Sequence, residues 1–330
     1  MRAVTYSAFG PATEVLKLSD IPLRPPGPQE VSVELVFSGV NPSDVKARAG
    51  ARPGVTRPPF ERICPHSDGA GHITAVGEGV DPARIGQRVW IWNGQWQRPM
   101  GTAAEGIVLP SEQAIALPDE ISFETGASLG IPGLTAAHTV FGGGDVAGKT
   151  LLIHGGNGSV GHLAVQLAKW GGATVIATAS PAGFDRCKAA GADNVLDYRS
   201  GTLAQDILAT TGGGLVDRIV DVEFGQNIAI NAEVITPNGI LSVYGSAKDM
   251  APSVPFGPLL FKAVTIDIAL IYILPRNERL MAVELLHNAL RQGALYCPVG
   301  KVFSLAQAAA AHQAVENGQR QGAILVDVQR

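Results

Sequence analysis

Short alternations of apolar and polar residues, interrupted by Pro and Gly, run from Arg2 to about Leu117: RAVTYS, EVSVELVFSGV, GHITAVGEGV, QRVWIW and AAEGIVLP. Period-two alternation marks half-buried strands, and turns at this spacing predict a small twisted β-domain with partly open barrel character. The rhythm changes near Ser122, where Ser122, Glu124 and Thr125 predict a helix start. From there strand-like and helix-like stretches alternate. LLIHGG (151–156), ATVIATA (173–179), NVLDY (194–198), DRIVDV (217–222) and GILSVYG (239–245) are separated by VGHLAVQLAKWG, FDRCKAAGA, TLAQDILATT and NIAINAEVI. Parallel strands need crossovers, so this order predicts an α/β domain with a doubly wound parallel sheet. The expected boundaries are 124–270 for the sheet domain and 1–123 with 271–330 for the β-domain. The helix at 280–293 and the final helix and strand are read as returning to the β-domain.

Length supports two domains, because 330 residues exceed the roughly 250–300 at which one core stops growing. Lys plus Arg number 25 against 29 Asp plus Glu, a net charge of −4 that gives no general attraction for nucleic acid or anionic lipid. Neither is expected as a partner. The most apolar run, AVTIDIALIYIL at 263–274, is too short to span a bilayer and contains Asp267. Cys64, Cys187 and Cys297 are an odd, widely spaced set with neither disulfide-framework nor metal-site spacing. A soluble, cytoplasmic protein in a reducing compartment is the expectation.

The most informative stretch is LLIHGGNGSVGHLAVQLAKWG, where a buried strand enters a G-x-G-x-x-G turn (Gly156, Gly158, Gly161) and a helix follows at once. Glycine there allows a tight turn, close approach of the backbone to a pyrophosphate, and close packing of helix on strand, while helix-start amides face the anion. The context predicts dinucleotide binding. Two other matches fail the same test. Gly143–Thr150 reads as a P-loop but follows a helix-like segment and precedes a strand, the reverse of the order that makes amides converge on phosphate. Gly126–Gly130 matches G-x-S-x-G inside a predicted helix, which makes Ser128 a packing residue. The second strand ends Ala177-Thr178-Ala179-Ser180, without the carboxylate that selects NAD, so NADPH is favoured. Ser180 and Arg186 are placed to meet a 2′-phosphate, and Tyr198 to cover the adenine side.

The order of the two domains, with GVNPSDVKARAG (39–50), PHSDGAG (65–71), GLTAAHTV (133–140) and the GGNGSVG turn, resembles the medium-chain dehydrogenase/reductase superfamily over essentially the whole chain. Its zinc-dependent members carry Cys, and His with Glu, where this chain has Asn41, and Ser67 with Asp68, and a four-Cys lobe where 90–110 has no cysteine. No metal is therefore expected. His66, one position away, is read as a hydrogen-bonded loop or cleft-wall residue. Asn41 in G-V-N-P-x-D, followed by Arg48 and Gly50, resembles the zeta-crystallin and quinone-oxidoreductase branch. That resemblance implies a GroES-like β-barrel catalytic domain, a Rossmann domain, a cleft between them, NADPH, and quinone or activated-enone substrates. It also implies roles for Asn41 near the nicotinamide, Thr135 as a coenzyme contact, Gly158, Ser159, Val160 and Gly161 at the pyrophosphate, and Tyr244 with Gly245 near the nicotinamide half. Lys46 stands where the family often has Tyr, and DVEFG (221–225) replaces its usual D-S-V-G.

Hydride transfer to an acceptor conjugated to oxygen needs positioning more than acid catalysis, which suits a segment whose ionisable groups are Asp44, Lys46 and Arg48. Asp44 and Arg48 also read as a structural ion pair. Trp92 and Trp96, in a predicted loop, are candidate substrate contacts or barrel caps. An enoyl-thioester or alkenal reductase, and a non-enzymatic NADPH-binding structural or regulatory protein, are the alternatives. The alternation at 264–270 reads as an apolar edge strand, which is usually paired or covered. The family pairs this strand about a two-fold axis, so a homodimer is expected.

Overall fold

The alternation at Glu30–Val40 becomes an eleven-residue strand whose Val31, Val33 and Leu35 are fully buried. A computed structural model describes residues 1–51, 54–318 and 321–330. The chain divides into two compact units, Met1–Ile131 with Cys297–Arg330, and Pro132–Tyr296.

The first unit begins with β1 (Arg2–Thr5), α1 (Ala12–Val15), β2 (Lys17–Asp20), β3 (Glu30–Val40), α2 (Pro42–Ala49), β4 (Asp68–Val76), β5 (Arg88–Ile91), β6 (Gly106–Pro110), β7 (Ala114–Ala116) and α3 (Phe123–Gly126). The second contains α4 (Leu134–Phe141), β8 (Thr150–Ile153), α5 (Ser159–Trp170), β9 (Thr174–Ala179), α6 (Phe184–Ala189), β10 (Asn194–Asp197), α7 (Leu203–Thr210), β11 (Val216–Asp221), α8 (Phe224–Val234), β12 (Ile235–Val243), α9 (Phe256–Phe261), β13 (Thr265–Ile268) and α10 (Arg276–Arg291). The chain then returns to the first unit through β14 (Val299–Ser304), α11 (Ala308–Glu316) and β15 (Ala323–Asp327).

In the first unit the strands run β14-β15-β3-β4-β5-β7, with β6 also paired to β3, and β1 and β2 form a separate ribbon. Every pairing is antiparallel except β14 with β15. Val33, Leu35, Ile63, Val89, Ile107 and Leu109 fill its core, joined by Leu305 and Ala311 from the returning segment. Burial of each large aliphatic side chain stabilises by about 1.5–3 kcal/mol, which is what holds the distant C-terminal segment in this unit.

The second unit is a six-stranded, all-parallel sheet ordered β10-β9-β8-β11-β12-β13. Counted from β8 this is the Rossmann order 3-2-1-4-5-6, and the chain leaves β8 toward one edge and re-enters beside it at β11. In such sheets ligands bind off the carboxyl ends of the strands where the order reverses.

Ser122 caps α3 by accepting the Thr125 amide, as its position in the sequence suggests. Both decoy motifs sit in the wrong context: Gly143–Thr150 follows α4 and runs into the first residue of β8, and the hydroxyl of buried Ser128 donates to the Glu124 carbonyl. One expectation is corrected. Residues 271–296 do not return to the first unit, because α10 buries Ala282, Leu286, Ala289 and Leu290 and packs on α4 of the second. The first boundary likewise falls after Ile131 rather than at 123.

Candidate functional site

At the switch point β8 runs into His154 and Gly155, and α5 starts after Gly158. Gly155 has φ +70°, a left-handed conformation that glycine adopts without strain. A Cβ on Gly156 would stand 2.9 Å from Ala177 Cβ and 3.1 Å from Cys187 Sγ, and one on Gly161 would stand 2.2 Å from the Gly155 carbonyl oxygen. The turn thus packs on β9 and α6 and closes on itself with no room for a side chain at Gly156 or Gly161. Such a cradle fits the pyrophosphate of a dinucleotide at the start of a twelve-residue helix.

Beneath the turn is a buried hydrogen-bonded network that sequence reasoning missed. The Gly155 amide donates to Thr178 Oγ1 over 3.2 Å, and Thr178 Oγ1 lies 3.2 Å from His154 Nδ1. His154 Nε2 is 2.9 Å from Asn231 Oδ1, and Asn231 Nδ2 donates to Asp221 Oδ2 over 2.7 Å. A side-chain amide oxygen only accepts, so His154 Nε2 carries a proton, and in the neutral ring Thr178 donates to Nδ1. Asp221, at the end of β11, also accepts from Asn227 Nδ2 and from the Glu223 amide. The network ties the ends of β8, β9 and β11 to α8. His154, Thr178, Asp221 and Asn231 are polar and buried, and no local pattern in the sequence pairs them.

The other expected coenzyme residues of this unit are placed as follows. Thr135 is buried on α4, and Ser180 follows β9 at the head of the turn 181–183. Tyr198 is exposed directly after β10, with the Arg199 guanidinium 5.8 Å from its ring centre and paired to Asp197 at 3.0 Å. Arg186 is half-buried, and its Nε and Nη1 have no hydrogen-bond partner among the described residues. Its charge acts on His162 in the first turns of α5, whose pKa is pushed down to about 4 by burial first and Arg186 second. The Tyr244 amide donates to the Asp221 carbonyl, and a Cβ on Gly245 would meet the Val222 carbonyl oxygen at 2.4 Å.

In the first unit Asn41 caps α2, and its amide donates to Asp44 Oδ2 over 2.8 Å. Asn41 Nδ2 donates to Asp68 Oδ2 over 2.7 Å, and the Ile131 amide lies 2.9 Å from both Asp68 oxygens. Asp68 is fully buried; burial above all, then the charge of Asp44, pushes its carboxyl well above the ordinary range, against the bonds from Ile131 and Asn41. The sequence offered one signal for this residue: a carboxylate within a run of small residues needs partners if it is buried. Arg48, by contrast, is buried and bound to the Gly10 carbonyl and Glu316, while Lys46 is exposed. Trp92 is buried with its indole donating to the Glu112 carbonyl over 3.2 Å, and Trp96 is half-buried in the following loop. His66 is a hydrogen-bonded loop residue, 2.8 Å from Ser38 Oγ.

The donor set here does not fit zinc, since Asn41, Ser67 and Asp68 offer neither thiolate nor imidazole and Asn41 and Asp68 are bonded to each other. Among the described residues no group of three or more His, Cys, Asp or Glu side chains could hold a metal ion. No helix among them is long and apolar enough to cross a membrane.

Comparison with known proteins agrees with this architecture. The family model described as "Alcohol dehydrogenase GroES-like domain" matches residues 27–119, and "Zinc-binding dehydrogenase" matches 159–288. The quinone oxidoreductase of Pseudomonas aeruginosa is 31% identical over 94% of this chain and 94% of its own. The human synaptic vesicle membrane protein VAT-1 homolog is 32% identical over 75% of this chain, which spans only 62% of that relative's length. Among solved structures, Escherichia coli quinone oxidoreductase complexed with NADPH is 25% identical, with a TM-score of 0.87 over 99% of this chain and 100% of that one. With a glycine cradle at a Rossmann switch point, an Asn-Asp pair in a GroES-like unit and these relatives, the chain belongs to the quinone oxidoreductase family of medium-chain dehydrogenases and reductases.

Proposed function

We propose that this protein is a zinc-independent, NADPH-dependent oxidoreductase acting on a quinone or an activated enone. The observation that carries the reading is the glycine cradle at Gly155–Gly161, where a Cβ at Gly161 would overlap the Gly155 carbonyl. Bound there, NADPH supplies the hydride. The chain's own part is to bind and to orient. The α5 start and the glycine turn receive the pyrophosphate, and Thr178 and His154 hold the turn from below. The lack of a carboxylate directly after β9, where Ser180 and then Arg186 follow and Tyr198, preceding Arg199, donates its amide to the Ala179 carbonyl over 3.3 Å, supports NADPH over NADH. Asn41, held by Asp68, is the proposed contact near the reacting ring, with Trp96 as a wall for a flat acceptor. Quinone reduction needs little acid assistance, in keeping with an active segment whose Arg48 is tied to Glu316.

The same reading includes a cytoplasmic homodimer. Support comes from β13, an edge strand paired only to β12 among the described residues, with Ile266 and Ile268 exposed. An unpaired apolar edge calls for a partner.

Fluorescence titration with NADPH and NADH, followed by turnover of a naphthoquinone and a crotonyl thioester with a metal chelator present, tests the proposal. Tighter NADPH binding and chelator-resistant quinone turnover are expected. Preference for the thioester would move the protein to double-bond reduction, and binding without oxidation of any acceptor would make it a coenzyme-binding protein. Loss of activity with the chelator would overturn the metal-free mechanism.

A further inference from the structure

Ser38, His66, Thr102 and His312 are completely buried in the first unit, and the chemistry above uses none of them. Their polar atoms form an unbroken chain. His312 Nε2 lies 2.9 Å from His66 Nε2, His66 Nδ1 2.8 Å from Ser38 Oγ, Ser38 Oγ 2.8 Å from Thr102 Oγ1, and Thr102 Oγ1 2.6 Å from the Asp68 carbonyl oxygen.

Counting protons fixes the direction of every bond. A carbonyl only accepts, so the Thr102 hydroxyl donates to Asp68. Thr102 then accepts from Ser38, whose single proton is committed. His66 must therefore donate from Nδ1, and a neutral ring leaves its Nε2 as an acceptor. The donor is His312 Nε2–H, and His312 Nδ1 remains a buried lone pair with no hydrogen-bond partner among the described residues. Both rings are held neutral by burial, His66 well below its ordinary range and His312 at about 3, with the charge of Arg48 adding to the effect on His312. Arg48 on α2 is paired with Glu316 on α11, the helix that carries His312. His66 itself has φ +76°, a conformation that a non-glycine residue keeps only when its surroundings fix it.

We propose that His312, His66, Ser38 and Thr102 are positioning residues for the Asp68–Asn41 pair: the proton order begun on the C-terminal helix pins the Asp68 peptide, and so aims the carboxyl that holds Asn41. This rests on the reading of Asn41 as a contact near the reacting ring. Neither imidazole moves a proton to substrate in this scheme, because the chain ends on a backbone carbonyl.

Two measurements test it. Long-range proton–nitrogen correlation spectra of the nitrogen-15-labelled protein at neutral pH should show His66 protonated on Nδ1 only and His312 on Nε2 only. The opposite tautomer in either ring overturns the proton order. Thr102→Val removes the terminal donor without changing shape, and Thr102→Ser restores it. Thr102→Val is expected to keep its NADPH affinity within about 2-fold, since the glycine turn belongs to the other unit, while kcat falls about 10-fold or more and Thr102→Ser recovers most of it. Unchanged kcat in Thr102→Val would overturn the positioning role. Failure of the wild-type protein to bind NADPH would instead overturn the parent reading and leave the tautomer result standing.

Discussion

Asn41 Nδ2 and Asp68 Oδ2 are 2.7 Å apart, which joins the cap of α2 to the first residue of β4. The carboxyl also receives the Ile131 amide on both oxygens, so replacing it with an amide leaves one donor facing another. Asp68→Asn is expected to cost about 1–3 kcal/mol in urea unfolding at acid pH. The folded-state pKa of Asp68 is raised, so its contribution to stability is fully present below the ordinary carboxylate value and is lost as pH rises through the folded one. The stability difference between wild type and Asp68→Asn should therefore shrink from pH 4 to pH 9. A difference that widens with pH would contradict the buried, proton-retaining carboxyl.

The imidazole pair has the opposite sign. Burial lowers the pKa of His66 and His312 in the folded state, so their contribution is present above the ordinary histidine value and is lost as pH falls below about 6.5 toward the folded values. His312→Gln removes one titrating group while keeping a donor near the Nε2 position. Its stability should fall less steeply than that of wild type between pH 6.5 and 4, by up to about 1.4 kcal/mol per pH unit. Parallel curves for the two proteins would mean that His312 is not held neutral.

Thr178 serves two partners with one hydroxyl, the Gly155 amide and His154 Nδ1. Thr178→Val leaves both unpaired and is expected to destabilise by about 1–3 kcal/mol and to weaken NADPH binding, with Thr178→Ser close to wild type. Equal NADPH affinity in all three proteins would detach the network from coenzyme binding.

Gly158 distinguishes binding from folding. A Cβ there would lie 3.2 Å from the Gly155 carbonyl oxygen, and its backbone, at φ −74°, is open to alanine. Gly158→Ala should fold and lose NADPH affinity by about 10-fold or more, because the methyl group occupies the approach to the backbone. Gly161→Ala, whose Cβ would sit 2.2 Å from backbone, should disrupt the turn itself and lower thermal stability as well.

Ile268 is 75% exposed on the edge strand β13. If this edge is the dimer seam, Ile268→Arg should halve the mass seen by light scattering at micromolar concentration while leaving the far-ultraviolet circular dichroism unchanged. A wild-type protein that is already monomeric would remove the seam.

The alternation of strands and helices, the glycine turn, the Ser122 cap, the edge character of 264–270 and the rejection of two decoy motifs are all determined by the sequence itself. Each depends on periodicity or on steric demands within a few residues, which the local chain carries in full. Tertiary structure alone decided the rest. His66 and His312 are 246 positions apart, Asn41 and Asp68 are 27, and His154 and Asn231 are 77. Packing of α11 turned Arg48 toward Glu316, and the apolar face of α10 took 271–296 into the second unit. A buried polar side chain must find a partner wherever packing brings one, and that partner is set by how sheets and helices stack rather than by any spacing along the chain.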